Sequence, residues 1–282
     1  MDNKTTPQIG SHNSTVTLFS EIIFPEPDQL GYVDFDDHQL EFIKFHRRNT
    51  GTTTLVLLHE GLGSVDMWHK FPAYLASATD AEVIAYSRRG YGRSSPRNAS
   101  YSVNYMHLEA RETLPRLLEK LDVAEPVLIG HSDGASIALI HAADQPSKVR
   151  GVAVLAPHIM VEDLSIREIG RTREEFYTSD LKKKLARYHD DPVSTFWGWN
   201  NIWLNPNFLA WDIRGLLSSI HCPILAIQGE NDPYGTMAQI NQIKSTAKNK
   251  VKLLKLKNCG HSPHREKPEE TLCALKSFIL GL

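Results

Sequence analysis

From residue 55 onward the chain alternates short, apolar, β-rich runs with longer stretches of helical periodicity, a rhythm that leaves few folds open. The runs are 54–58, 82–86, 126–129, 152–155, 224–228 and 251–256, each bounded by turn residues or helix starts. Between them, 65–77, 102–121, 132–143, 236–246 and 268–280 read as helices. Strands joined through helices cannot pair as hairpins, so they form a parallel sheet covered on both faces. Two earlier runs, 31–34 and 40–45, suit antiparallel edge strands. The fold class is therefore α/β, with a mostly parallel eight-stranded sheet and helices on both faces.

The rhythm breaks once. Residues 157–220 hold charged helical sequence, 164–187, followed by an aromatic stretch before the strand pattern resumes, which predicts an inserted helical cap. The division expected is an N-terminal extension at 1–30, a core formed by 31–156 and 221–282, and the cap at 157–220. Four of the five tryptophans, Trp197, Trp199, Trp203 and Trp211, fall in the cap; the fifth is Trp68. A small lid cannot bury that much aromatic surface alone, so the cap is expected to lie over the sheet's C-terminal edge and wall a pocket. The Lys182-Lys183-Lys184 run with Arg187 reads as a solvated helix face.

Composition narrows the partners. A net charge of -2 gives no electrostatic reason to expect a nucleic acid or an anionic membrane, so a small-molecule substrate is expected, with the chain a monomer or homodimer. The three cysteines, Cys222, Cys259 and Cys273, form neither a disulfide framework nor a zinc ribbon. The first thirty residues lack a basic start and an apolar run, and no apolar stretch reaches the ~20 residues of a membrane span. The expected setting is the cytoplasm.

The chemistry is concentrated in three motifs. Gly130-His131-Ser132-Asp133-Gly134 follows an apolar run and precedes a helical one, the context of a Gly-x-Ser-x-Gly turn that lifts a serine oxygen clear of the backbone. Serine is a weak nucleophile and needs a base, which in turn needs an acid to orient it. Gly229-Glu230-Asn231-Asp232-Pro233 follows the strand at 224–228, and Asn258-Cys259-Gly260-His261-Ser262-Pro263-His264 follows the last strand. The catalytic set read from these motifs is Ser132 as nucleophile, His261 as base and Asp232 as acid. His264 and Glu230 compete for the last two roles. The Gly-His pair favours His261, and the position before a loop proline favours Asp232. No third ligand is spaced to join His261 and His264 at a metal, so neither metal nor cofactor is expected. An oxyanion needs donors; the backbone N–H of Asp133 is one candidate, and the other is Gly61, or Leu62, in His59-Glu60-Gly61-Leu62-Gly63-Ser64.

With chain order Ser, Asp, His, the sequence resembles the α/β-hydrolase superfamily over nearly all of 31–282. Ser87-Arg88-Arg89-Gly90-Tyr91-Gly92-Arg93-Ser94 is similar to that family's turn after the fourth strand, except that Ser87 stands where Asp is common. Within the superfamily, the elbow and the Asp232 loop look most like valacyclovir hydrolase-type esterases, although His131 stands where those often carry Trp. That likeness implies a further role for Asp133, whose side chain would hold a substrate amine. Trp197, Trp199, Trp203 and Tyr234 are the other expected substrate-binding residues.

These features point to a serine hydrolase cleaving a carboxylic ester or related acyl bond, including thioesters, lactones and activated amides. Two alternatives share the scaffold: hydrolysis of a carbon–carbon bond in a ring-cleavage product, and a ligand-binding protein without catalysis. Dehalogenase and epoxide hydrolase readings are disfavoured, because those enzymes carry Asp where this chain has Ser132.

Overall fold

A computed structural model describes residues 25–46 and 53–282. Most of the expected N-terminal extension, 1–24, lies outside the described residues. Eight strands form one sheet: β1 (Gln29–Asp34), β2 (Gln39–Phe45), β3 (Thr54–Leu58), β4 (Glu82–Tyr86), β5 (Val127–His131), β6 (Gly151–Leu155), β7 (Ile224–Gly229) and β8 (Val251–Leu256). Their order is β1-β2-β4-β3-β5-β6-β7-β8. β2 pairs antiparallel with β1 and β4, and every later pairing is parallel. Each expected strand forms, within two residues at either end.

The sheet has two buried faces, and the side-chain period of two sorts residues between them. Val56, Leu58, Ile84, Tyr86 and Leu128 pack in one layer with α4 (Asp133–Asp144). Leu55, Leu57, Val83, Ala85, Val127 and Ile129 pack in the other with α1 (Phe71–Thr79) and α10 (Pro268–Ile279). Lys252 and Lys255 stand exposed on β8, an edge strand guarded by charge.

Two expected helices are broken, each for a local reason. The helix at 65–77 divides into a 3₁₀ turn, Asp66–Trp68, and α1, because His69 takes a φ of 51° between them. The helix at 102–121 is α2 (Tyr105–Leu108), a π turn at Glu109–Thr113, and α3 (Leu114–Lys120). Pro115 has no N–H to give to the preceding turn, and its ring crowds that turn's carbonyls, so the wider π turn accommodates it. Between β6 and β7 the chain forms α5 (Asp163–Thr178), α6 (Leu181–Leu185) and α7 (Pro192–Trp203), followed by 3₁₀ turns at Pro206–Phe208 and Arg214–Ser219. Lys182, Lys183 and Lys184 are exposed on α6. The remaining helices are α8 (Ala238–Thr246) and α9 (Pro263–Glu266). Among the described residues no helix is long and apolar enough to cross a membrane.

Backbone packs closely on backbone where β5 turns into α4. A Cβ on Gly134 would penetrate the Leu58 carbonyl of β3, and one on Gly130 would lie 2.5 Å from the Ala135 Cα. These are backbone atoms, which cannot swing aside as a long side chain does. Gly134→Ala is therefore expected to cost ~3 kcal/mol through overpacking. Gly170→Ala, on α5 with nothing within 4 Å of the added carbon, is expected to stabilise by ~0.5–1 kcal/mol. Urea midpoints of the two variants check the contrast; equal midpoints would contradict it.

Candidate active site

The close approach of β5 and α4 forces the intervening residue into an uncommon conformation. Ser132 has φ 52° and ψ -118°, and its own N–H donates to the Leu155 carbonyl at 2.9 Å. Its Oγ lies 2.9 Å from Nε2 of His261. On the other side of that ring, Nδ1 is 2.9 and 2.8 Å from the two carboxylate oxygens of Asp232. With the proton on Nδ1 donated to Asp232, Nε2 is left free to accept from the serine hydroxyl.

Each member is held by further bonds. Asp232 receives the Tyr234 N–H on Oδ1 at 2.8 Å and the Gln228 amide on Oδ2 at 2.7 Å. Burial alone would raise the Asp232 pKa, but His261, with the Tyr234 N–H, outweighs it and holds the carboxyl below its ordinary range. The Glu266 carboxylate takes the N–H groups on either side of His261, Gly260 at 2.6 Å and Ser262 at 2.9 Å. His131 Nε2 donates to the carbonyl of His261 at 2.7 Å. The competing candidates fall elsewhere: Glu230 is exposed, and His264 is buried against Trp68 and Phe71, with ring centroids at 4.9 and 5.3 Å. Among the described residues no group of three or more His, Cys, Asp or Glu is arranged to hold a metal ion.

Ser132 opens into a cavity of about 110 Å³ whose wall includes Gly61, Leu62, His158, Trp199, Trp203 and Tyr234. The Asp133 N–H belongs to the first residue of α4, where helix N–H groups have no partner within the helix. Gly61 and Leu62 both border the cavity, and a Cβ on Gly61 would run into the Trp199 indole. Their loop is fixed from behind. The Arg88 guanidinium donates to the carbonyls of His59 and Glu60 at 2.5 and 2.9 Å, and His189 Nε2 donates to that of Leu62 at 2.9 Å. His158 is buried, which pushes its pKa down to about 3 and keeps it neutral beside His261.

Two of the expected substrate contacts are placed differently from the others. Trp197 does not border this cavity: two residues before Trp199 on α7, it projects about 200° around the helix and packs on Phe176 and Phe196. Trp199 and Trp203, four residues apart, share the cavity-facing side. Asp133 borders the cavity, but its carboxylate faces protein. Oδ2 accepts from the Tyr105 hydroxyl at 2.6 Å and Oδ1 from the Trp203 indole at 3.2 Å. The side chain thus fastens α7 and α2 to the serine turn. Ser87 also gains a rationale: it accepts the Val65 N–H at 2.9 Å and donates to Glu41 on β2 at 2.7 Å, so the carboxylate comes from a neighbouring strand.

A model of the alpha/beta hydrolase family matches residues 55–275. The chain belongs to that family. It is 24% identical to the proline iminopeptidase of Heyndrickxia coagulans, over 88% of this chain and 98% of that protein. It is 30% identical to serine hydrolase BPHL of Homo sapiens, over 54% of this chain and 53% of that one. Among solved structures it resembles MGS-M2, an alpha/beta hydrolase enzyme from a Medee basin deep-sea metagenome library, with a TM-score of 0.72 and 20% identity. That match covers 89% of this chain and 98% of the other. Relatives of this alpha/beta hydrolase thus include a peptidase as well as proteins named for esterase and lipase activity.

Of the residues that hold the serine, histidine and aspartate in place, Gln228 and Glu266 went unread in sequence. Gln228 had a signal: it is a fully buried amide at the end of an otherwise apolar strand. The depressed pKa of Asp232 carries a sign. A carboxyl whose folded pKa is lowered contributes stability above its unfolded value near 4 and loses it as pH falls through the folded one. The stability gap between wild type and Asp232→Asn is expected to be wide at pH 7 and to shrink below pH ~3.5, measured by urea unfolding. A gap constant with pH would mean that the charge of Asp232 contributes nothing.

Proposed function

We propose that this chain is a serine hydrolase that cleaves a small carboxylic ester, or a related acyl bond, through an acyl-enzyme. The observation that carries the reading is the unbroken relay from Ser132 Oγ to His261 to Asp232, with contacts of 2.9 and 2.8 Å. Ser132 attacks the substrate carbonyl while His261 takes its proton, and Asp232 keeps the ring in the required tautomer and stabilises the imidazolium. The negative charge that develops on the carbonyl oxygen is met by the Asp133 N–H and by that of Gly61 or Leu62. His261 then gives its proton to the leaving alcohol, and a water activated by the same ring releases the acid and restores Ser132.

The cavity argues for a short acyl group. At about 110 Å³, between Trp199, Trp203 and Tyr234, it accepts a compact apolar substituent more readily than a long chain. A substrate amine is not required, since donors already occupy both oxygens of Asp133. Three free cysteines, two of them buried, suit the reducing cytoplasm we assign to it.

The test is a panel of p-nitrophenyl esters of rising chain length, with amino-acid esters and a vinylogous diketone included, on wild type and Ser132→Ala. Short esters are expected to be hydrolysed best, with turnover lower by ~10³ or more in the variant. A fluorophosphonate is expected to add to Ser132 alone. Turnover of the diketone without the esters would move the reaction to carbon–carbon bonds. A protein that neither turns over an ester nor takes the label would be a binding protein on this scaffold.

A further inference from the structure

His131 stands immediately before the nucleophile, and 1% of its surface is exposed. Its two ring nitrogens face two acceptors. Nε2 lies 2.7 Å from the carbonyl oxygen of His261, which can only accept, so this nitrogen carries hydrogen. Nδ1 lies 3.4 Å from Oε2 of Glu60, in the loop after β3. A neutral ring protonated on Nε2 would aim the Nδ1 lone pair at the Glu60 carboxylate, half-buried on the cavity wall, which is repulsive. Adding a proton to Nδ1 makes the contact attractive.

We propose that His131 and Glu60 form an imidazolium–carboxylate pair that acts as a positioning device for His261, tying the serine turn, the Gly61 loop and the His261 loop together. The role rests on the serine hydrolase reading; the pair itself does not. It acts through the backbone of His261, in the same peptide segment whose flanking N–H groups donate to the Glu266 carboxylate on α9.

Two further observations fit. Gly63 leaves the room the Glu60 carboxylate occupies: a Cβ there would overlap Oε2 and lie 2.8 Å from the His59 Cβ. The loop therefore folds the acid back toward His131. The second concerns charge. The His131 ring is 5.1 Å from that of His261, so an unpaired cation there would oppose the imidazolium that His261 becomes during reaction, and Glu60 cancels it.

The other titratable groups around His131 do not replace Glu60. His264, at 4.9 Å, is kept neutral by burial, as is His158, and the charge of Asp232 is committed to His261. Burial works against a charge on His131, but Glu60 first, then the His261 carbonyl and the more distant Asp232, outweigh it, and the pKa lies above the ordinary histidine value. The Glu60 carboxyl, which burial would raise, is held well below its usual range by His131. A raised histidine pKa gives stabilisation that is complete below the unfolded value near 6.5 and is lost as pH rises through the folded one. The positioning is thus lost on the alkaline side.

The experiment is long-range ¹H–¹⁵N NMR of the histidine rings in the full chain, with His131 assigned through the backbone. At pH 6.5 its two nitrogens are expected to show mostly protonated shifts, and in Glu60→Gln its pKa is expected to fall by about one unit or more. Gly63→Ala, which displaces the carboxylate without removing it, is expected to lower it in the same direction. A wild-type His131 with one bare nitrogen at that pH overturns the proposal, and this reading needs no variant to fold. Where an ester substrate is found, the alkaline limb of kcat/KM is expected to move to lower pH in Glu60→Gln, and an unmoved limb refutes the positioning role. Because the NMR reading needs no turnover, an inactive protein would count against the hydrolase reading and not against the pair.

Discussion

The contact between the first turn of α4 and the backbone of β3 sets the terms for the rest of the molecule. With no side chain on Gly134, the helix sits against the Leu58 carbonyl, and with none on Gly130 the strand runs directly under the helix. A chain brought back on itself that tightly must turn within one residue, and Ser132 takes the positive φ that makes the turn. The strain is repaid in position. The serine oxygen stands clear of the sheet and the N–H groups of the helix start lie beside it, so the nucleophile and the anion donors we propose would arise from a single backbone feature.

The groups around that turn are held largely by bonds between side chain and main chain. Arg88 fixes the loop after β3 through two carbonyls, and Glu266 fixes the His261 loop through two N–H groups. Gln228 fixes Asp232 through its side-chain amide. Bonds to the main chain set the course of a loop that has no ladder of its own. Asp133 extends the scheme to the inserted helices, because Tyr105 and Trp203 reach its carboxylate from α2 and α7. Burial raises the Asp133 pKa, with Arg88 as the main opposing charge, so the ionised form depends on a guanidinium that also shapes the Gly61 loop. The inserted helices and the Ser132 turn are consequently joined through buried polar contacts as well as apolar packing.

What the sequence disclosed follows the range over which each constraint acts. Parallel strands buried on both faces are near-continuous apolar runs, so β3 to β7 were legible as such; β8 was legible as an apolar run broken by Lys252 and Lys255, and β2 by its alternation. Ser132, Asp232 and His261 were legible because each sits in a short motif at the end of such a run. The aromatic stretch between β6 and β7 was legible as a pocket wall, but its phase went unread: treating Trp197, Trp199 and Trp203 alike ignores the 3.6-residue repeat that sends Trp197 to the opposite side. The partners of Asp133 lie 28 and 70 residues away, and no local pattern specifies them. Glu60 and His131 are separated by 71 residues, and each has a commonplace reading within its own loop.

The histidines near the centre illustrate how surroundings give one residue type different charges. His59 accepts the Arg88 N–H on Nε2 and faces the Glu60 carbonyl with Nδ1, and His189 accepts the Gly92 N–H on Nδ1 while donating to Leu62 from Nε2. Each has one donor and one acceptor to satisfy, which a neutral ring does in a single tautomer. His131 has two acceptors, which only a cation satisfies. His261 faces a carboxylate on one side and a hydroxyl on the other, and a hydroxyl both donates and accepts. That last environment is the one compatible with either proton count. The neighbouring rings hold loops in place in fixed states, and in the acyl transfer we propose the proton that moves is carried by the ring between Ser132 and Asp232.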